Sequence, residues 1–170
     1  YTWAVEEIYP STSAWETEYK NVEKEIDFST FKGNLSNKKA FLDCMKKQEK
    51  IDLIQKSITE KEICRCYFSY DPSFFYCYPN AVNDRFILGQ EEDDFLLDGY
   101  FIRKISHLKK VEIRMDHCNA INQMIGVTDQ VMHPGVDITD WRSIFESLSS
   151  IDTFVIIEDN TCEQFAIGVI

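Results

Sequence analysis

The first sixty residues carry apolar side chains at the spacing of amphipathic helices. A helix is predicted over residues 11–27, with Lys and Glu between the apolar positions. Its apolar face contains Trp15, Tyr19, Val22 and Ile26. A second helix is predicted from a cap at Ser36 or Asn37 to about Ser57. Its inner face is expected to carry Phe41, Cys44, Met45, Gln48, Ile51 and either Leu53 or Ile54. The pattern therefore predicts a helical hairpin over residues 1–57.

From Glu62 onward the residues become aromatic and β-branched, which is typical of strands. Strands are predicted over residues 63–70, 73–78, 85–90, 95–97, 100–105 and 110–115. Pro79-Asn80 is expected to end the second strand, and Asp98-Gly99 to form a turn. Gly89 indicates a bulge or a bend within a long strand. These short, closely connected strands predict an antiparallel meander.

The last third of the chain predicts two short helices and two final strands. The helices are expected near residues 116–126 and 139–149, and the strands over 153–158 and 164–170. The final strands are apolar almost throughout, which predicts that both of their faces are covered. The fold class is α+β, with the hairpin over residues 1–57 followed by a mainly antiparallel β domain over residues 61–170.

The net charge of the chain limits the classes of partner that it is expected to bind. The chain has 170 residues and a formal charge of -11, and residues 61–170 hold 18 acidic against 9 basic groups. Such an acidic chain is a poor partner for nucleic acid, whose affinity comes largely from Lys and Arg, and for anionic membranes. No window approaches 18 apolar residues, and the start at Tyr1 lacks the pattern of a signal peptide. We expect a cytoplasmic protein whose six cysteines are reduced.

Three groups of residues are candidates for metal or catalytic sites. Cys64 and Cys66 with Cys77 nearby, the pair His117-Cys118, and the acidic run 91–94 each carry suitable side chains. Buried thiols, a structural pair and a solvated hairpin tip are the favoured interpretations. The chain has no HExxH motif, no P-loop and no GxSxG motif. We therefore predict a protein that is not an enzyme, with no catalytic, cofactor-binding or metal-ligating residue.

Aromatic residues are concentrated in the predicted β domain. They include Phe74, Phe75, Tyr76, Tyr78, Phe86, Tyr100 and Phe101. Such residues can stack on bases or line a peptide groove, but they more often form the core of a β-rich domain. The core is the favoured interpretation, because the acidic charge does not favour single-stranded nucleic acid.

A family resemblance enters at the N-terminus. The residues that carry it are Trp3, Ile8-Tyr9-Pro10-Ser11, Ala14-Trp15-Glu16 and Phe31-Lys32-Gly33-Asn34-Leu35. Their order and spacing resemble the start of the oligoendopeptidase F family of zinc metallopeptidases, over about the first fifty of 170 residues. The resemblance implies a helical wall element of the kind that helps to enclose a peptide channel in that family. The catalytic HExxH helix of the family is absent, so the resemblance assigns peptidase activity to no residue here.

A second resemblance covers residues 61–170. Its motifs are Asp98-Gly99-Tyr100-x-Ile102-Arg103, Asp140-Trp141-Arg142-Ser143-Ile144-Phe145, Val155-Ile156-Ile157-Glu158 and Phe165-x-Ile167-Gly168. They are similar to small uncharacterised bacterial proteins, for which a bent five-stranded Sm-like or SH3-like barrel is expected. The resemblance assigns no activity.

The sequence leaves three hypotheses for function. The first, which we favour, is a non-catalytic adaptor that binds a protein or peptide, since no site is present and the acidic surface suits basic partners. The second is a fragment or subunit related to an oligopeptidase. The third is a ring-forming Sm-like RNA-binding protein. The third requires a local basic strip on one face, formed by Arg103, Lys104, Lys109 and Lys110.

Overall fold

The computed structural model describes residues 37–113, 117–151, 153–158 and 165–170, together with the single residues 11, 13, 17 and 33. The chain divides into two compact units, Tyr1–Cys44 and Met45–Ile170. The predicted helix over 11–27 and most residues of the metallopeptidase resemblance lie outside the described residues. The helical hairpin and its boundary near residues 57–61 therefore stay predictions.

The first described helix, α1, spans Lys38–Glu60. It begins at Asn37, whose side-chain oxygen accepts a hydrogen bond from the backbone N–H of Lys39 at 2.9 Å, as expected for a cap. Ile54 is buried, whereas Met45 is 51% exposed. The prediction that Met45 lies on the inner face is wrong. Met45 and Ile54 are nine residues apart, which is about two and a half helical turns, so their side chains point to opposite sides of α1. Phe41 is also exposed.

Five strands form one antiparallel sheet in the order β4-β3-β2-β1-β5. They are β1 (Cys64–Phe68), β2 (Phe75–Val82), β3 (Phe86–Asp93), β4 (Leu96–Lys104) and β5 (Leu108–Ile113). A single 3-10 turn, Ile105–His107, connects β4 to β5, although these strands lie at opposite ends of the sheet order. The meander predicted from the sequence is therefore joined by a final strand that returns to the first.

Strand β2 continues through Pro79-Asn80, where the sequence predicted an end. Pro79 lies opposite Gly89, and the register shifts before Ala81, so Asn80 is an additional residue in the ladder. A bulge can accommodate a proline inside a strand because the ladder is already interrupted there. The bulge that we expected at Gly89 thus lies on the facing strand.

The turn between β3 and β4 is at Asp94-Phe95 and not at Asp98-Gly99. Asp94 and Phe95 have φ angles of 48° and 64°, the left-handed conformation of a two-residue hairpin turn. The carboxylate of Glu92 accepts a hydrogen bond from the Phe95 N–H at 2.7 Å and helps to hold this turn. Gly99, with a φ of 74°, lies within β4 beside a register shift, where a bulge needs a residue without a Cβ.

The two faces of the sheet carry separate hydrophobic clusters, since successive residues of a strand point to opposite sides. On one face, Ile54 of α1 packs with Cys64, Cys66, Phe68, Cys77, Ile87 and Phe101. On the other face, Tyr78 packs with Ile63 and Val127. The same face carries Phe86 and Leu88, which pack with Val136, Ile138 and Ile144. The sheet is therefore covered on both sides along its central strands.

The sheet is curled toward the face that α1 covers. The guanidinium carbon of Arg103 in β4 lies 5.0 Å from the ring centroid of Phe68 in β1. In a flat sheet, strands three positions apart would be separated by about 14 Å. Among the described residues β4 and β5 do not pair, so the sheet is not closed into a barrel and the expected barrel is not confirmed. The α+β class is confirmed.

Two further helices follow β5. Helix α2 spans His117–Met124 and helix α3 spans Trp141–Ile151, where the sequence predicts 116–126 and 139–149. Asp140 caps α3, because its carboxylate accepts a hydrogen bond from the Ser143 N–H at 2.9 Å. A 3-10 turn, Thr128–Gln130, lies between the two helices. Within the described part of the chain, every helix is too short or too polar to cross a membrane.

The last two strands, β6 (Phe154–Glu158) and β7 (Phe165–Val169), pair with each other as a two-stranded antiparallel sheet. The prediction that both of their faces are covered is wrong. Every residue of the two strands is exposed except Val155, which is half-buried. An unbroken run of apolar residues normally indicates a strand that is buried on both faces. The run alone, however, does not specify which other part of the chain packs against the strand.

Candidate binding surface

The cysteines considered as metal ligands are part of the core. Cys64, Cys66 and Cys77 are fully buried, and the sulfurs of Cys66 and Cys77 are 3.5 Å apart. Burial raises the pKa of the Cys64 thiol to about 12 and also raises the pKa of Cys77. A neutral thiol is a poor nucleophile. Among the described residues no group of three or more His, Cys, Asp and Glu side chains is arranged to hold a metal ion.

His117 and Cys118 begin α2 in different surroundings. His117 is exposed, whereas Cys118 is partly buried and packs against the cluster of Ile63, Tyr78 and Val127. The side chain of Asn122, one helical turn later, lies 3.9 Å from the Cys118 sulfur. This arrangement favours the structural interpretation of the His-Cys pair.

Polar side chains that the sequence did not single out surround this cluster. Tyr78, Glu92, Asn122 and Thr128 are all buried. The hydroxyls of Tyr78 and Thr128 are 3.2 Å apart. Burial raises the pKa of the Glu92 carboxyl, although hydrogen bonds from the Phe95 N–H and the Asn122 side chain oppose this. Among the residues that the structure describes, none forms a hydrogen bond with the side-chain oxygen of Asn122. The alternation of inward and outward side chains along β3 could have predicted that Glu92 is buried. The contact of Glu92 with Asn122 of α2 could not be predicted, because no feature of the sequence near Glu92 indicates it.

Replacing Glu92 with Gln should stabilise the fold at neutral pH by about 1 kcal/mol. The raised pKa means that the folded state favours the protonated carboxyl, so wild-type stability falls as pH rises from the ordinary glutamate value of 4.5 through the folded pKa. Glutamine keeps an acceptor for Phe95 and has no charge to desolvate. Denaturant unfolding at pH 4 and pH 7 measures the gain, which should vanish at the lower pH.

Asp93→Asn is the matched control for this comparison, because Asp93 is the adjacent acid and is exposed. It should change stability little and equally at both pH values. A Glu92→Gln protein that is less stable than wild type at pH 7 would contradict the assigned cost of burying the carboxylate.

The acidic run 91–94 does not converge on one point. Glu91 lies 3.6 Å from Arg103, and Glu92 is engaged at the turn on the opposite face. Asp93 and Asp94 are exposed at the hairpin tip. The solvated-tip interpretation therefore describes only the last two acids.

The four basic residues considered as an RNA-binding strip lie on two strands. Arg103 and Lys104 belong to β4, and Lys109 and Lys110 belong to β5, at the other end of the sheet order. Arg103 pairs with Asp71 at 2.6 Å, and Lys110 pairs with Glu112 at 2.7 Å. Two of the four charges are thus neutralised within the protein, which disfavours a continuous basic face.

The predicted aromatic group divides between core and surface. Tyr78, Phe86 and Phe101 are buried, while Phe75 and Tyr76 are half-buried. Phe74 and Tyr100 are exposed. Most of these rings therefore form the core, as the favoured interpretation expected, and Tyr100 adjoins a separate exposed surface.

That surface is formed by five large side chains, which we call the methionine patch. Its members are Tyr100 (44% exposed), Ile121 (38%), Met124 (86%), Ile125 (56%) and Met132 (66%). One continuous arc beside the inward-facing Asn122 contains Ile121 and Met124 of α2 and Ile125, the residue after it, given 100° of rotation per residue.

The patch is held together through groups beneath it. The Tyr100 hydroxyl donates a hydrogen bond to the Met132 carbonyl oxygen at 3.0 Å. Val131, which precedes Met132, packs on the same cluster as Leu97 of β4 and Cys118 of α2. Thr128 contacts Tyr78 within that cluster. These contacts place Tyr100, Met132 and helix α2 on the same face of the sheet.

Comparison of the chain with protein-family models, with curated proteins and with solved structures finds no match.

Proposed function

We propose that this chain is a non-catalytic module that binds a protein or peptide at the methionine patch. The observation that carries the proposal is the exposure of five large apolar side chains on one side of the unit Met45–Ile170. Large apolar side chains exposed on one side of a protein often mark an interaction site. Methionine side chains suit such a site because they adapt to differently shaped partners.

Three titratable groups with shifted pKa values support a non-catalytic role. Glu92 holds the turn at Phe95, Arg103 pairs with Asp71, and Tyr78 contacts Thr128. Each of these groups is thus engaged in holding the fold. A catalytic acid or base would instead need to face a place that a substrate can reach.

For the fold, we propose an SH3-like barrel that is open between β4 and β5. The three-residue link between these strands supports it, as does the contact of Arg103 with Phe68 across the sheet. For the function, the alternatives are a ring-forming Sm-like RNA-binding protein and a subunit related to an oligopeptidase. The ion pairs of Arg103 with Asp71 and of Lys110 with Glu112 disfavour the ring.

Selection of binding peptides from a displayed random library tests the proposed function. Selected peptides should bind the full chain, and Met124→Asp should weaken their binding at least tenfold, since burying an aspartate at an apolar contact costs more than about 1.4 kcal/mol. Titration calorimetry measures both dissociation constants.

Met45→Asp is the matched control, because Met45 is another exposed methionine on a helix, 51% exposed. It should leave the affinities unchanged. Peptides that bind Met124→Asp as tightly as wild type would refute the patch as the binding site, and so would a selection that enriches no binder.

A further inference from the structure

The hairpin of β6 and β7 carries one contiguous apolar face. The residues that lie directly opposite each other in the two strands are Phe154 and Val169, Ile156 and Ile167, and Glu158 and Phe165. These six side chains point to the same side, because alternate residues of a strand share one side of a sheet. Each of the five apolar members is more than half exposed, from 53% for Val169 to 78% for Phe154. We call these members the hairpin face: Phe154, Ile156, Phe165, Ile167 and Val169.

A two-stranded sheet of this kind needs cover. An isolated hairpin is at best marginally stable in water, and a third strand or a packed element is needed before its apolar face is stable. Among the described strands, β6 and β7 pair only with each other. Within one copy of the chain the hairpin face stays exposed. A contact with another molecule would supply the missing cover.

We infer that the hairpin face is the contact between two copies of this chain. The two hairpins would pack face to face as a four-stranded sandwich, with their sheets about 10 Å apart. This contact uses none of the residues of the methionine patch, so the inference does not rest on the proposed function.

The area of the hairpin face fits a contact between two copies. A large apolar side chain that is more than half exposed presents about 100 Å² to water. The five side chains would therefore bury about 500 Å² on each copy and about 1,000 Å² in total, which is where specific interfaces begin. Interfaces between identical subunits are also the more apolar class, with few charges at their centre.

The charge of the hairpin favours a second copy over a charged partner. The chain carries -11 overall, but Glu158 is the single ionisable residue of β6 and β7. A face without charge gives no electrostatic preference for a basic or an acidic partner. Glu158 lies at one corner of this side of the hairpin, where its carboxylate can stay in water when two copies meet.

The shape of the hairpin face is self-complementary. Phe154 and Phe165 lie at diagonally opposite corners, because each is paired across the strands with a smaller residue. A two-fold axis between the sheets and along the strands places Phe154 of each copy opposite Val169 of the other. The same rotation brings Ile156 of one copy over Ile167 of the other. Large and small side chains therefore alternate across the contact, as close packing requires.

Sedimentation of the full chain tests the inference. At about 100 μM the wild-type chain should sediment as a dimer, with twice the mass of 19.9 kDa. Ile156→Asp should weaken dimerisation about a hundredfold or more, because two-fold symmetry places two aspartates in each contact and each costs about tenfold. Raising the salt from about 50 mM to about 300 mM should strengthen the wild-type dimer, since salt screens the repulsion between two acidic chains.

Ile125→Asp is the matched control, because Ile125 is 56% exposed and Ile156 is 61% exposed. It should leave dimerisation unchanged. Ile156→Thr separates the contact from folding, since threonine is a good strand residue, and it should still weaken the dimer about tenfold. As a second measurement, the melting temperature of the wild-type chain should rise with its concentration, and that of Ile156→Asp should not.

Three results would overturn the inference. A wild-type chain that stays monomeric at that concentration would show that two copies do not cover the hairpin face. A dimer that both Ile156 variants leave intact would show that the contact lies elsewhere. A dimer that Ile125→Asp dissociates, while Ile156→Asp does not, would place the contact at the methionine patch.

Discussion

Replacing Arg103 with Leu should lower the free energy of unfolding by about 3 kcal/mol, the usual cost of removing one partner from a largely buried ion pair. The Arg103 guanidinium donates to the Asp71 carboxylate at 2.6 Å and lies 3.6 Å from Glu91. The guanidinium carbon of Arg103 is also 4.6 Å from the ring centroid of Phe75 and 5.0 Å from that of Phe68. Leucine would leave two carboxylates facing aromatic rings with no cation between them.

Two further variants show which property of Arg103 matters. Arg103→Lys keeps the charge but loses the planar group that stacks on the rings, so its stability should fall between those of wild type and Arg103→Leu. Arg142→Leu is the exposed control, since Arg142 pairs with Glu146 at 2.8 Å but its side chain is 85% exposed. It should change stability by about 0.5 kcal/mol or less. Urea unfolding measures all three, and an Arg103→Leu protein as stable as wild type would refute the role of the ion pair.

The pH dependence of this network has a definite sign. Burial raises the pKa of Glu91, and the nearby positive charge of Arg103 opposes that rise. Removing Arg103 removes the opposing effect, so the pKa of Glu91 rises further. The stability lost in Arg103→Leu should therefore be smaller at pH 4 than at pH 7, since a protonated Glu91 no longer needs a cation.

The parts of the fold that the sequence predicts are those with local causes. Asn37 and Asp140 cap helices through their own neighbouring N–H groups, and both caps are visible in the sequence. The turn at Asp94-Phe95 was missed because neither residue favours a left-handed conformation as glycine does. Here a buried carboxylate from Glu92 supports it, and that burial depends on α2, which lies far along the chain. The turn therefore forms at Asp94-Phe95 because of contacts between distant parts of the chain, although Asp98-Gly99 is the stronger turn signal in the sequence.

The methionine patch could be predicted only in part. The apolar pair Met124-Ile125 next to Gly126 is visible in the sequence. The position of Tyr100 beside Met132 is not, because it depends on a hydrogen bond between residues 32 apart. The burial of β6 and β7 could not be predicted from their sequence either. Their apolar composition predicted that both faces are buried, but the side chains of these strands are largely exposed.

Replacing Gly89 with Ala should destabilise the fold by about 2 kcal/mol, within the range for overpacking a filled core. A Cβ at this position would lie 2.8 Å from two atoms of the Phe101 ring and 3.1 Å from the Tyr78 carbonyl oxygen. The ring has little room to move, because it contacts Phe75 at 5.2 Å between centroids and lies beneath Arg103. Gly89 is thus required by the close approach of Phe101 and not by its own backbone conformation.

Gly168→Ala is the matched control, since Gly168 is also in a strand but has nothing within 4 Å of an added Cβ. It should be neutral or slightly stabilising, because alanine loses less conformational entropy on folding. In a Phe101→Leu background the cost of Gly89→Ala should shrink, because the colliding ring atoms are gone. A double-mutant cycle by urea unfolding measures that coupling, and purely additive effects would show that the Phe101 ring is not what excludes a side chain at residue 89. The coupling also links the two predictions, because the ring that excludes a side chain at residue 89 is one of those that surround the Arg103 guanidinium.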